Sequence, residues 1–73
     1  MARTTLDPIG GKMRAFNVWV AGMLKVQKKT QKELANDIGL DVSNVSRRLH
    51  GSAEWSFREY LKTQEFFEER FGE

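Results

Sequence analysis

The side chains in this sequence with the clearest chemical potential are basic, and they are spread unevenly along the chain. Residues 1–53 contain nine Lys and Arg against four Asp and Glu, a balance of +5, whereas residues 54–73 contain three against six, or −3. Three of the lysines, Lys25, Lys28 and Lys29, lie close together. A basic body with an acidic end indicates one face for an anionic partner and another that faces elsewhere.

The composition excludes most catalytic and metal chemistry. The chain has no cysteine and a single histidine, His50, so disulfides, thiolate catalysis and a Cys/His zinc site are all excluded. Because no Ser/His/Asp arrangement or glycine-rich phosphate loop is present, we expect neither an enzyme nor a cofactor. No apolar run approaches the roughly 20 residues of a membrane helix, and residues 1–6 lack a signal peptide, so we expect a cytoplasmic protein without membrane contact.

The length of the chain limits it to one domain. With 73 residues and 8.5 kDa, it buries only about 60% of the surface that its unfolded form exposes. A scaffold of this size without disulfides or metal depends on good helix packing or on self-association. Pro8, Gly10 and Gly11 lie close together in a polar stretch, so we expect a flexible N-terminal tail over residues 1–11 and a single domain over residues 12–73.

Hydrophobic residues recur at helical spacing in the first and last parts of this domain. A first helix is predicted from residue 11 or 12 to about residue 27, with the following residues on one face: Met13, Phe16, Val20, Met23 and Leu24. A C-terminal helical segment is predicted over residues 56–71, either as one helix or as two, and it begins with a capping box formed by Ser56 and Glu59. Its proposed common face comprises Phe57, Tyr60, Leu61, Phe67 and Phe71. No long stretch alternates with period two, so the fold class is all-α.

Two short helices joined by a glycine turn are predicted between these segments. Thr30 and Glu33 have the spacing of a capping box, which begins a helix over residues 31–38. Gly39 supplies the left-handed conformation that ends this helix, and Asp41 can cap the next one, over residues 42–49. Helix, three-residue turn and helix form the helix-turn-helix unit, and the small Ala35 allows the two helices to cross closely.

The motif over residues 30–51 resembles the Cro/cI (XRE) family of phage and bacterial regulators, in particular its small phage repressor or Cro-like members. The similarity rests on three stretches, which are Thr-Gln-Lys-Glu-Leu-Ala at 30–35, Ile-Gly-Leu at 38–40 and Ser-Asn-Val-Ser-Arg-Arg-Leu-His-Gly at 43–51. It extends more loosely over residues 12–67. The resemblance implies a compact four- to five-helix bundle of the lambda-repressor-like type, working on a double-stranded DNA operator in the bacterial host cytoplasm or nucleoid.

The resemblance also implies which residues contact DNA. The third helix, residues 42–49, would read the major groove, and its base contacts would come from Val42, Ser43, Ser46 and Arg47. Phosphate contacts are expected from Gln31, Lys28, Lys29, Lys32, Asn44 and Arg48. In groove chemistry, Arg47 would bind guanine O6 and N7, Ser43 would bond either donors or acceptors, and Val42 would touch a thymine methyl.

Two functions from different classes stay open at the sequence level. The first is a sequence-specific DNA-binding transcriptional regulator, working as a homodimer. The second is an antirepressor or modulator that uses the same fold and the acidic segment to bind another repressor protein. Phe66, Phe67 and Phe71 cannot all face one side of a single helix, so we predict that they form a dimer or partner interface.

Overall fold

Four α-helices, and no β-strand, make up the regular structure of residues 8–72. The computed structural model describes the backbone of these residues and the side chains of residues 13–72. The helices are α1 (Pro8–Val26), α2 (Gln31–Ile38), α3 (Val42–Leu49) and α4 (Phe57–Phe67). The all-α class predicted from hydrophobic periodicity is therefore confirmed.

Helix α1 begins earlier than the glycine pair predicts. Its first residue is Pro8 rather than residue 11 or 12, so the part of the predicted tail from Pro8 onward is helical. Proline suits the first helical position because its φ is preset and its missing N–H would have no partner within the helix. Each glycine costs about 1 kcal/mol in a helix, but the fully buried Phe16 and Val20 hold this long helix against the core. Residues 1–7 of the predicted tail lie outside the described residues.

The caps of α2 and α3 have the geometry that their sequence predicts. The Thr30 hydroxyl accepts a hydrogen bond from the Glu33 N–H (3.1 Å), and the Thr30 N–H donates to Glu33 Oε1 (2.7 Å). Gly39 adopts the left-handed conformation with φ of +80° after the end of α2. Asp41 then accepts from the Ser43 N–H (3.0 Å) and begins α3. Both helix ranges agree with the prediction because local hydrogen bonds determine these ends.

Helix α4 is a single helix that ends before the predicted segment does. Its capping box is present, since the Ser56 hydroxyl accepts from the Glu59 N–H and the Ser56 N–H donates to Glu59 Oε1 (3.1 and 3.0 Å). Glu68 ends the helix in the left-handed conformation, with φ of +58°. The chain then turns back, and the Phe71 N–H donates to Gln64 Oε1 at 2.9 Å. Phe71 therefore reaches the core from outside the helix.

The buried face of α4 differs from the predicted one. Phe57 and Leu61 keep 74% and 43% of their surface exposed, so placing them on a common buried face was wrong. The buried positions of α4 are Phe67, which belongs to the predicted face, and Thr63, whose hydroxyl donates to the Glu59 carbonyl at 2.8 Å. A threonine with its hydroxyl satisfied in this way can be buried at little cost.

Aromatic rings surround Phe16 at the centre of the core. Four ring centroids lie 4.7 to 5.7 Å from its own, and they belong to Trp19, Trp55, Tyr60 and Phe71. The Trp55 indole N–H donates to Asn17 Oδ1 at 2.6 Å, so its polar atom is satisfied although the residue is buried. Both tryptophans are therefore packing residues. Helix α2 packs against α3 and α4, and α1 packs against α3, so the core holds α3 from behind.

Candidate nucleic-acid interface

The predicted base-contacting residues share one arc of the α3 surface. At 100° per residue this arc is about 140° wide, and it contains Val42, Ser46, Ser43 and Arg47. Ser43 and Arg47 are exposed, Val42 keeps 41% of its surface, and Ser46 is half-buried. Val45 is fully buried outside this arc. Helix α3 therefore presents a largely polar surface while its apolar side anchors it to the domain.

The turn between α2 and α3 fixes the direction of that surface. Ala35 is buried, and its carbonyl accepts the Leu40 N–H at 2.9 Å across the turn. Leu40 is half-buried and packs against the core together with the buried Val45. Leu40 and Val45 thus anchor the turn and α3 to the same core, which holds α3 at a defined angle to α2.

Asp41 places a negative charge at the N-terminus of α3. Its carboxylate accepts hydrogen bonds from both the hydroxyl and the backbone N–H of Ser43. The Ser43 hydroxyl bond is the main reason that the pKa of Asp41 lies below its ordinary value, followed by the backbone bond and the nearby charge of Arg47. Because the Ser43 hydroxyl already donates to Asp41, the capacity that remains on its oxygen is that of an acceptor.

Arg47 is the cation that α3 projects into solvent. Its side chain is exposed and makes no hydrogen bond or salt bridge with the residues whose side chains the structure describes. A guanidinium offers five donors in a planar fork that matches bidentate acceptors. Among the predicted contacts, Arg47 therefore has the donor groups best placed to bond an incoming acceptor.

Two of the predicted phosphate contacts are used inside the domain instead. Arg48 donates from Nε to Glu59 Oε1 at 2.8 Å and from an Nη atom to the Asn44 carbonyl at 3.1 Å. Lys29 donates from Nζ to the Phe66 carbonyl at 3.1 Å, and its ammonium lies 4.4 Å from the centre of the Phe66 ring. Contacts of Lys29 and Arg48 with DNA phosphates would therefore compete with the bonds that join α3 and the α1–α2 connector to α4.

The other predicted phosphate contacts lie in the connector and at helix N-termini. Lys28 and Lys32 are exposed, while Gln31 and Asn44 are half-buried. Gln31 is the first residue of α2, where free N–H groups and the helix dipole favour an anion. Lys28 has a left-handed backbone with φ of +57°, an uncommon conformation for a lysine. These positions give the α2 end of the surface a basic character.

The three phenylalanines predicted as a dimer interface are used mainly for internal packing. Phe67 is 2% exposed, so it cannot form an outer surface, and this part of the prediction was wrong. Phe66 and Phe71 are half-buried and pack against the core. The large hydrophobic side chains that are exposed lie elsewhere: Val18, Val26, Val42, Phe57 and Leu61.

The ion pair between Glu59 and Arg48 is the important contact that sequence analysis missed. The capping box was visible from Ser56, but the ion pair with Arg48 joins residues eleven positions apart on different helices. Both side chains are largely buried, at 17% and 16% exposure. Burial raises the pKa of Glu59, but the hydrogen bonds from the Ser56 backbone and from Arg48 outweigh it, so the pKa lies below its ordinary value of 4.5.

This lowered pKa predicts a pH dependence of stability. The stabilisation from Glu59 is fully present above pH 4.5, the unfolded-state value, and is lost as the pH falls through the lower folded-state value. Glu59→Gln should cost about 1–3 kcal/mol at pH 7 and flatten the loss of stability below pH 4.5. Urea unfolding at a series of pH values measures this, with Glu65→Gln, an exposed carboxylate of the same helix, as control. An unchanged acid slope in Glu59→Gln would contradict the assignment.

Comparison of the chain with protein-family models, with curated proteins and with solved structures finds no significant match. Among the described residues there is no group of three or more His, Cys, Asp or Glu side chains placed to hold a metal ion. Within the same residues, no helix is both long and apolar enough to cross a membrane. The geometry of the α3 surface is therefore the main evidence on function.

Proposed function

We propose that this protein is a sequence-specific DNA-binding transcriptional regulator of the small phage repressor or Cro-like type, with a lambda-repressor-like helix-turn-helix fold. The observation that carries the proposal is the exposed arc of α3, on which Arg47 projects free donors while Val45 is anchored in the core. A helix held in this way fits the width of the DNA major groove with its outer face toward the base edges.

The proposed base recognition uses three kinds of contact. Arg47 donates to O6 and N7 of a guanine, the commonest specific contact in the major groove. Ser43 accepts from an exocyclic amine of cytosine or adenine, because its own proton is given to Asp41. Val42 packs against a thymine methyl, and the half-buried Ser46 lies beside it on the same arc. The negative charge of Asp41 disfavours a phosphate contact at this end of α3.

Phosphate contacts position the protein without specifying sequence. The proposal assigns them to Lys28, Lys32 and the N-terminus of α2, where Gln31 adds an amide donor. Lys29 contributes long-range positive charge while its ammonium stays bound to the Phe66 carbonyl, whereas the charge of Arg48 is neutralised by Glu59. Two copies of the domain would contact half-sites one helical turn, or about 34 Å, apart. Occupancy of such an operator blocks polymerase and requires no ligand or cofactor.

Binding to random-sequence duplex DNA over a salt series tests the proposal. Each neutralised phosphate releases counterions, so we expect the affinity to fall with a log–log slope of about −4 or steeper. Oligomer mass is measured in the same buffers, because the slope of a dimer counts the contacts of both copies. If no binding is detected even at low salt, the DNA-binding proposal is wrong.

The acidic end of the chain favours a second candidate function. Glu65, Glu68 and Glu69 are exposed at the end of α4 and just beyond it. Such a negative surface suits a basic patch on another regulator, which would make this protein an antirepressor or modulator. That function predicts a stable complex with a repressor protein and no salt-sensitive DNA binding, so the same salt series separates the two candidates.

A further inference from the structure

An open groove of about 860 Å³ runs between α1 and the region that leads into α4. Its buried lining includes Trp55, which is 7% exposed, and its exposed large hydrophobic residues are Val18 on α1 and Phe57 on α4. The C-terminal end of α3, at Leu49 and His50, closes one part of the groove. None of these residues is assigned to DNA in the proposed function.

The exposure of Val18 and Phe57 makes this surface a candidate interface. They keep 69% and 74% of their surface in contact with water, although each lies next to an apolar depression. Neighbouring exposed apolar groups of this kind mark interaction sites. The surface also combines two projecting side chains with a concavity, so it has the convex and concave parts that a self-complementary contact requires.

The charges of the groove indicate what covers it. Arg14 lines the α1 side and Glu54 lines the loop side, and both are exposed. In a two-fold symmetric contact, each residue that touches a partner residue is touched in turn by its own counterpart. When the two-fold axis runs along the groove, Arg14 of each copy faces Glu54 of the other, so that both charges are matched. A partner with charge of one sign would leave one of the two unmatched.

We infer that a second copy of this chain docks in this groove, with Val18 and Phe57 of each copy packed against the Trp55 side of the other. The resulting dimer is isologous and covers the C-terminal ends of both α3 helices. It leaves the arc from Val42 to Arg47 exposed. This interface replaces the one predicted at Phe66, Phe67 and Phe71, and it stands without any assumption about DNA.

Sedimentation equilibrium of the full chain without DNA, from about 1 µM to about 1 mM, tests the inference. We expect a reversible dimer, and we expect Val18→Glu and Phe57→Glu each to raise the dissociation constant at least tenfold, roughly the loss of one central contact. Val26→Glu is the matched control, because Val26 is a valine of the same helix, is 77% exposed and does not line the groove. Circular dichroism confirms that each variant keeps the helical fold.

A charge exchange keeps the test valid if an apolar variant fails to fold. Arg14→Glu alone and Glu54→Arg alone should each weaken the dimer, and the double variant should recover most of the loss. A wild-type chain that stays monomeric up to about 1 mM overturns the inference. So does a Val26→Glu variant that weakens the dimer as much as Val18→Glu does. Because no DNA is present, either outcome is separate from the salt series that tests the proposed function.

Discussion

Replacing Phe16 by alanine is expected to unfold most of the protein at physiological temperature. The ring is fully buried, and four other aromatic rings pack around it, so its removal leaves a cavity at the point where α1 meets the rest of the core. A change of this kind costs about 3–5 kcal/mol. Small single-core domains rarely have more than that in reserve, which is why a single substitution is enough.

Urea unfolding followed by circular dichroism measures this loss. Phe57→Ala is the matched control, because it removes the same side chain from the first residue of α4, where 74% of the residue is exposed. The control should change the free energy of unfolding by less than about 0.5 kcal/mol when it is measured at low protein concentration. A loss below 1 kcal/mol in Phe16→Ala, or equal losses in both variants, would show that the core is organised differently.

Replacing Arg47 by alanine is expected to cost about 1–3 kcal/mol of binding free energy, but only on a selected operator sequence. The guanidinium is exposed and makes no bond with the described side chains, so the variant loses a base contact without unfolding α3. On random-sequence DNA the same variant should lose much less affinity, because there its contact reduces to a single charge. The operator is first selected from a pool of random duplexes.

Lys32→Ala provides the comparison for Arg47→Ala. Lys32 is exposed at the start of α2, and a phosphate contact from it should weaken all sequences about equally and reduce the salt slope by about 1. Lys28 is a poorer choice, because its left-handed backbone makes any change there a change in conformational strain as well. If Arg47→Ala lost affinity equally on operator and random DNA, Arg47 would be a phosphate contact rather than a base contact.

The parts of the fold that could be predicted from sequence are those that neighbouring residues determine. Thr30 and Glu33, Gly39 and Asp41 each act within four residues of their own helix end, and the bounds of α2 and α3 followed from them. The end of α4 did not follow, because a glutamate, Glu68, occupies the left-handed position that normally signals itself by a glycine. No sequence signal indicated that the chain turns back after Glu68 and brings Phe71 to Gln64.

Whether a candidate site residue is exposed or bonded inside the domain depends on tertiary contacts that sequence spacing does not encode. Lys29 and Arg48 have the charge of phosphate ligands, but tertiary structure places Lys29 against Phe66 and Arg48 against Glu59. Phe57 has the pattern of a core residue, yet the path of the loop leaves it in solvent. Periodicity identifies a helix face, but the packing of other helices decides which part of that face is covered.

The position of Glu59 makes it a residue that tolerates little change. Its carboxylate accepts from Arg48 of α3 and from the Ser56 backbone, its N–H donates to the Ser56 hydroxyl, and its carbonyl accepts from the buried Thr63. Aspartate keeps the charge but is one methylene shorter, glutamine keeps the reach but not the charge, and alanine loses both. Over evolution, position 59 should therefore accept fewer substitutions than the exposed residues around it.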